Sequence, residues 1–186
     1  MQYLWLCFSV GIVVLVVAMA AIAIYNRLVV LRNRVDNAWS QIDVQLKRRY
    51  DLIPNLVNVV KGYAAHESAV FERVTQARAA AMGAQGVEAK AQAENALTGA
   101  LKSLFAIAEA YPQLQAVSQF NSLSGDLTDT ENKIAYARQF YNDSVMSLNT
   151  AIQSFPSNIL AGMFGFAERA YFDAEPAADE APQVSF

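Results

Sequence analysis

The 186-residue sequence contains one histidine, His66, and one cysteine, Cys7. That scarcity excludes a disulfide within the chain, a cysteine-rich zinc site and any catalytic constellation built on two histidines. Charge is scarce as well. Asp, Glu, Lys and Arg make up 17% of the chain, against about 25% in ordinary soluble domains, while 54% of the residues are hydrophobic and the mean hydropathy is +0.19. A composition this apolar needs a membrane. The net charge of −3 and the lack of a basic field argue against nucleic acid as a partner.

Most of the apolar excess lies in the first 25 positions, and from Leu4 to Tyr25 no residue is charged. At about 1.5 Å per residue this run spans roughly 33 Å, enough for a hydrocarbon core of about 30 Å. Its Leu, Ile, Val and Phe residues favour insertion by roughly 4–7 kcal/mol, with no ionised side chain opposing them. A cleaved signal is the rival reading, because Ala18-Met19-Ala20 and Ala21-Ile22-Ala23 have the small-x-small form of a cleavage site. Against cleavage stand the lack of Lys or Arg before the run and a helical pattern that continues past the membrane edge. Residues 1–25 therefore read as a transmembrane anchor. Arg27, Arg32 and Arg34 follow it, and the positive-inside rule puts the following domain in the cytoplasm.

Beyond the anchor, apolar residues recur at alternating spacings of three and four, the mark of helices that each bury one stripe. The first seam runs Leu28, Leu31, Val35, Ala38, Ile42 and Leu46, with nothing separating it from the anchor. A break or bend is expected between Asp51 and Pro54, because proline lacks a backbone donor and disfavours helical dihedrals at Ile53. The second seam runs Leu52, Leu56, Val59, Tyr63, His66, Val70, Val74, Ala77 and Ala81, and stops at Gly83 to Gly86. The third helix is alanine-rich at first, then carries Leu97, Leu101, Leu104, Ala108 and Tyr111 before Pro112. The fourth seam runs from Phe120 through Leu123, Leu127, Thr130, Ile134, Ala137, Tyr141, Val145, Leu148 and Ile152 to Phe155, where Pro156 ends it.

These patterns predict an all-α fold: a single N-terminal transmembrane helix continuous with an elongated antiparallel bundle of about four long helices over residues 26–172. The acidic, proline-bearing residues 173–186 are expected to be disordered.

Three stretches carry a family resemblance. They are Tyr25-Asn-Arg-Leu-Val with Ala38-Trp39-Ser-Gln-Ile-Asp-Val-Gln-Leu-Lys-Arg-Arg-Tyr-Asp-Leu-Ile-Pro-Asn-Leu-Val57 and Val60-Lys-Gly-Tyr-Ala-Ala-His-Glu67; Ala110-Tyr111-Pro112 with Thr130-Glu-Asn-Lys-Ile-Ala-Tyr-Ala-Arg-Gln-Phe-Tyr-Asn142; and Phe155-Pro156-Ser-Asn158 leading into Gly165-Phe166. Together they cover nearly all of residues 25–166, and the sequence resembles the LemA family. The resemblance implies a bacterial membrane protein with one N-terminal span and a helical-bundle domain, with no established catalytic activity and no known cofactor. Leu148 stands where that pattern leads us to expect an aromatic side chain.

The residues themselves point to binding rather than chemistry. A metal site in a helical bundle needs paired Glu-x-x-His motifs, whereas Tyr63 stands three positions before His66, so no metal ligands are assigned and His66 reads as a hydrogen-bonded core or boundary residue. Asp36 and Asp43 share a helical face, where Glu131 or Arg138 would reach them as register-fixing pairs. No nucleophile, base and orienting group stand at defined spacing, and no catalytic residue, cofactor or small-molecule substrate is assigned. Lys47, Arg48 and Arg49 form a basic cluster suited to a charged partner surface, too far from the anchor to reach its own bilayer. The segment from Phe155 to Phe172 is more apolar than a loop needs. It either caps the bundle or meets a membrane or partner, with Met163, Phe164 and Phe166 as contacts. The expected function is that of a membrane-anchored scaffold or adaptor that binds a protein partner or itself. A membrane-shaping or membrane-sensing oligomer and an unrecognised enzyme are the alternatives.

Overall fold

A computed structural model describes residues 2–172; the expected disorder of residues 173–186 lies outside the described residues. The described residues are helical with no strand: α1 (Gln2–Lys61), α2 (Ser68–Gly83), α3 (Val87–Ala110), the single turn α4 (Pro112–Gln115), α5 (Ser118–Gln153) and α6 (Ser157–Met163). They divide into two compact units. One joins Met1–Trp39 with Phe140–Arg169, and the other joins Ser40–Gln139 with the chain from Ala170 onward.

In the first unit, the N-terminal part of α1 is long and apolar enough to cross a membrane, and none of its apolar window is buried against the protein. Side chains such as Val13, Leu15 and Val17 stand exposed, as lipid-facing residues would. Beyond Tyr25 the helix acquires a core. Leu28 packs with Ala151 of α5 and Ala161 of α6, flanked by Ile24, Leu31, Ile152 and Phe166. Further along, Val35 and Ala38 are buried with Tyr141, Val145 and Leu148, and the rings of Trp39 and Tyr141 lie 5.5 Å apart. Leu148 is 1% exposed, so the departure from the expected aromatic sits wholly inside packing. The chain leaves α6 through a left-handed residue, Gly165 (φ 69°), which lets the Phe166 N–H reach the Ala161 carbonyl at 2.9 Å. This six-to-one bond closes the helix end. Asn149 then imitates a backbone segment: its side chain donates to the Arg169 carbonyl and accepts from the Arg169 N–H, both at 2.9 Å.

In the second unit, the rest of α1 packs with α2, α3, α4 and the first part of α5 around Ile42, Leu46, Ile53, Leu56, Leu97, Leu104, Leu114 and Ile134. Two expectations are corrected there. Of the break or bend expected at Asp51 to Pro54, the break does not occur; α1 runs through Pro54 to Lys61. Proline removes the N–H that would bond the carbonyl four residues earlier, but Arg78 of α2 donates its Nε–H to that carbonyl, of Tyr50, at 2.8 Å. A side chain 28 positions away thus supplies the donor that the local sequence withholds. The turn falls instead at residues 62–67, and the second seam, threaded through that turn, is not one stripe. Tyr63 and His66 are exposed and Val59 is half-buried, so His66 is neither a core nor a boundary residue. The α2 stripe is Phe71, Val74 and Ala81.

Replacing Arg78 with Met should therefore lower stability by about 1–3 kcal/mol, the cost of leaving a partly buried carbonyl unpaired. In a Pro54→Ala background the restored N–H takes over the Tyr50 carbonyl, and the same replacement should cost less than about 1 kcal/mol. A double-mutant cycle in chemical denaturation reads the difference.

Candidate functional site

The two units present two different constellations. In the second, the helix stripes that supply the core also carry charge into it. Arg49 is 0% exposed. Its Nη1 donates to Glu94 Oε2 and its Nη2 to Thr98 Oγ1, each at 2.8 Å, while its Nε lies 2.8 Å from Glu131 Oε1 without the alignment of a hydrogen bond. The Tyr50 hydroxyl donates to Glu94, from which Arg49 also draws. Lys90, 8% exposed, donates to the Ala81 carbonyl at 2.9 Å and thereby satisfies the last turn of α2. Arg138 closes the cluster with its guanidinium 4.6 Å above the Phe172 ring.

The electrostatics follow from burial. Desolvation pushes the Glu131 carboxyl above its usual range, against the opposing pull of Arg49 and Arg138. Desolvation lowers Arg138, partly offset by Glu94. The Tyr50 hydroxyl is raised beyond any range in which it ionises, first by burial and then by Glu94, so it remains a donor. This arrangement reads as a register-fixing network: Arg49 of α1 is met by Glu94 of α3 and Glu131 of α5, while Lys90 is held by a backbone carbonyl and Arg138 lies over an aromatic ring. Among the described residues no three His, Cys, Asp or Glu side chains come together as a metal site.

A pH dependence follows from the raised Glu131. The native state binds that proton more tightly than the unfolded chain. Glu131 therefore imposes no penalty below the ordinary glutamate range, and imposes it fully once pH has risen past the native value. Stability relative to the Glu131→Gln variant should fall as pH rises through this window, read by urea titrations between pH 4 and 8.

The basic cluster separates on folding. Successive helical residues turn by about 100°, so Lys47 is exposed, Arg48 lies at the surface 3.4 Å from Asp126 and 3.9 Å from Asp129, and Arg49 enters the core. Arg49 is thereby withdrawn as a partner contact. Its place was legible: extending the first seam by the same steps from Leu46 gives Arg49, Ile53, Leu56 and Val60. Extending the third seam backward from Leu97 gives Glu94 and Lys90. Asp36 meets Arg169 at 3.3 Å within the first unit, and Glu131 lies 2.8 Å from Arg49 within the second.

In the first unit, the apolar C-terminal segment folds against the part of α1 where the candidate span ends. Tyr25 meets Phe164 edge-on at 4.8 Å and Phe166 at 5.9 Å, and Arg32 lies 5.3 Å over the Phe166 ring. Phe166 is half-buried. Phe155, Ile159, Met163 and Phe164 remain 81%, 55%, 73% and 57% exposed. Beside them a cleft of about 540 Å³ opens between α1, the end of α5 and Phe155 to Ser157, with Arg27 at its wall.

Similarity to known proteins bears on both constellations. The chain is 28% identical over 181 residues to magnetosome proteins MamQ 1 and MamQ 2 of Paramagnetospirillum magneticum, which covers 83% of this chain and 66% of each relative. It is 28% identical over 154 residues to protein LemA of Metamycoplasma hominis, covering 80% of this chain and 68% of that one. The chain thus spans just under two thirds of the length of the MamQ relatives. The LemA family profile matches residues 38–186, a range that holds the buried network of the second unit and the apolar segment of the first. On that match, which extends over well more than half its length, the chain belongs to the LemA family.

Proposed function

We propose that the protein is a membrane-anchored scaffold whose helical domain lies on the cytoplasmic side of a bacterial inner or plasma membrane and works by binding proteins, itself included. The observation that carries this reading is that the helix bearing the candidate span continues without interruption into a segment packed with the end of α5 and with α6. A helix that leaves the apolar run and enters a packed core holds the α5 and α6 surface next to the span, as a scaffold requires. The Arg27, Arg32 and Arg34 run after the span supports the cytoplasmic side. The buried Arg49 supports a structural part for this unit, because Glu94 and Glu131 hold it between helices. Lys47 and Arg48 are the proposed protein contacts.

In-cell photocrosslinking from position 47 or 48 of the full chain tests this. One defined adduct, whether a dimer of this chain or one other protein, is the expected result; no protein adduct from either position would overturn it. Sidedness has its own test. With Cys7→Ser and a single cysteine at Ala178, an impermeant maleimide should label only lysed cells, and labelling of intact cells would put the domain outside.

The exposed Phe155, Ile159, Met163 and Phe164 favour a second reading, in which the protein shapes or senses the bilayer. Apolar side chains at the foot of a span wedge into the headgroup boundary of the same leaflet. Reconstituted full chain would then tubulate vesicles, and Met163→Ser with Phe164→Ser would abolish the effect. Vesicles of unchanged diameter at high protein density would leave the scaffold reading alone.

A further inference from the structure

The three arginines after the span are not equivalent. Arg32 lies over the Phe166 ring and Arg34 5.2 Å over the Phe140 ring. Arg27 has no ion pair, hydrogen bond or ring partner among the described residues, is exposed, and lines the 540 Å³ cleft. The cleft begins at Ile24, within the apolar run, so its lower rim stands at the level where the membrane-spanning reading, on which this inference rests, places the headgroups. Three of its serines carry a further constraint. Ser147 donates its hydroxyl proton to the Asp143 carbonyl at 2.8 Å, Ser154 to the Thr150 carbonyl at 2.7 Å, and Ser157 to the Ala151 carbonyl at 2.5 Å. With their protons so used, these oxygens offer only lone pairs to an occupant.

One free cation, a row of acceptors and an apolar wall at membrane level describe a complementary ligand. It must bear an anion for Arg27, hydroxyl donors for the serines, and an apolar body to lie against Ile24 and Phe155. We propose that this cleft is a binding site for an anionic phospholipid with a polyol headgroup, its phosphate on Arg27, its headgroup hydroxyls on Ser147 and Ser154, and its acyl chains descending along α1 into the leaflet. The guanidinium suits the phosphate because two of its N–H groups can donate in parallel. A zwitterionic lipid with a quaternary ammonium head carries no donor for the serines and brings a cation towards Arg27.

Native mass spectrometry of the delipidated full chain in detergent tests the assignment, with phosphatidylglycerol and phosphatidylcholine titrated separately. The first phosphatidylglycerol adduct should form about tenfold more tightly, because phosphatidylcholine brings the same phosphate but lacks the hydroxyl donors and sets a cation near Arg27. Arg27→Gln should weaken it about tenfold, the worth of a single charge-assisted contact, and Thr150→Trp, which fills the cleft from an exposed position, should remove it. Arg32→Gln should leave it unchanged. Equal affinity for the two lipids, or a phosphatidylglycerol affinity unchanged by Arg27→Gln, would overturn the proposal. So would full competition by equimolar glycerol 3-phosphate, which would show an anion site with no role for the chains. Because the titration is done in detergent, it reads the cleft independently of whether α1 spans a bilayer in cells; extraction of cell membranes with alkaline carbonate reads the span.

Discussion

Replacing Arg49 with Ala should lower the stability of the protein by roughly 3–5 kcal/mol, the cost of breaking a buried ion pair from one side. For a chain of this size that corresponds to a fall of about 6–20 °C in unfolding temperature, measurable by circular dichroism on the full chain in mild detergent. The magnitude rests on what stays behind. Glu94, also 0% exposed, loses the guanidinium that holds its Oε2 at 2.8 Å, and Thr98 loses a donor. The Tyr50 hydroxyl continues to donate to Glu94 but carries no charge to oppose it. The double replacement of Arg49 by Met and Glu94 by Leu should recover much of the loss, since well-packed apolar side chains of similar volume commonly match a buried ion pair. A double variant as unstable as Arg49→Ala would mean that the network contributes through geometry that apolar packing cannot replace. A negligible loss in the single variant would mean that water reaches Glu94, contrary to its burial.

Charges placed in the centre of the candidate span should produce the second large effect. An Arg at mid-helix costs about 2.5–3.5 kcal/mol on insertion, so Val14→Arg with Val17→Arg together cost about 5–7 kcal/mol. That equals or exceeds the roughly 4–7 kcal/mol gained from the run's Leu, Ile, Val and Phe side chains. Both positions are about 60% exposed, so neither substitution disturbs a protein core, and the helical domain should remain folded. The expected result is a shift of the protein from the carbonate-resistant membrane pellet to the soluble fraction. Retention in the pellet would mean that something other than this helix holds the protein at the membrane, and the exposed side chains of Phe155, Ile159 and Met163 would be the next to replace.

The two effects differ in how far sequence reveals them. The candidate span is visible in any window that counts charges, because insertion depends on the summed transfer of side chains and hardly on their neighbours. The buried network is only half visible. The stripe positions of Arg49, Glu94 and Lys90 follow from the same alternation of three and four that locates Leu46 and Leu97, yet an arginine beside two other cations reads naturally as a solvated face. Only the presence of Glu94 and Thr98 on α3 makes its burial tolerable, and those residues lie some 45 positions away in the chain.

The amino-acid sequence by itself determined the all-helical class, the apolar N-terminal helix, the third stripe, the fourth as far as Ile152 with its wholly buried Thr130, and family membership, whereas Phe155, expected to end the fourth stripe, stands exposed. These depend on interactions within a few residues or on periodicity: Thr130, for example, satisfies its hydroxyl on the Asp126 carbonyl one turn earlier, at 2.7 Å. Tertiary structure alone decided the rest. Whether Pro54 ends α1 depends on Arg78 supplying a donor from α2; whether His66 is inside depends on where that helix finally turns; and where the apolar segment after Pro156 settles depends on Tyr25, which meets Phe164 and Phe166 across more than a hundred positions of chain. In each case the local chain permits more than one conformation, and the choice falls to a polar or aromatic partner that only folding brings within reach.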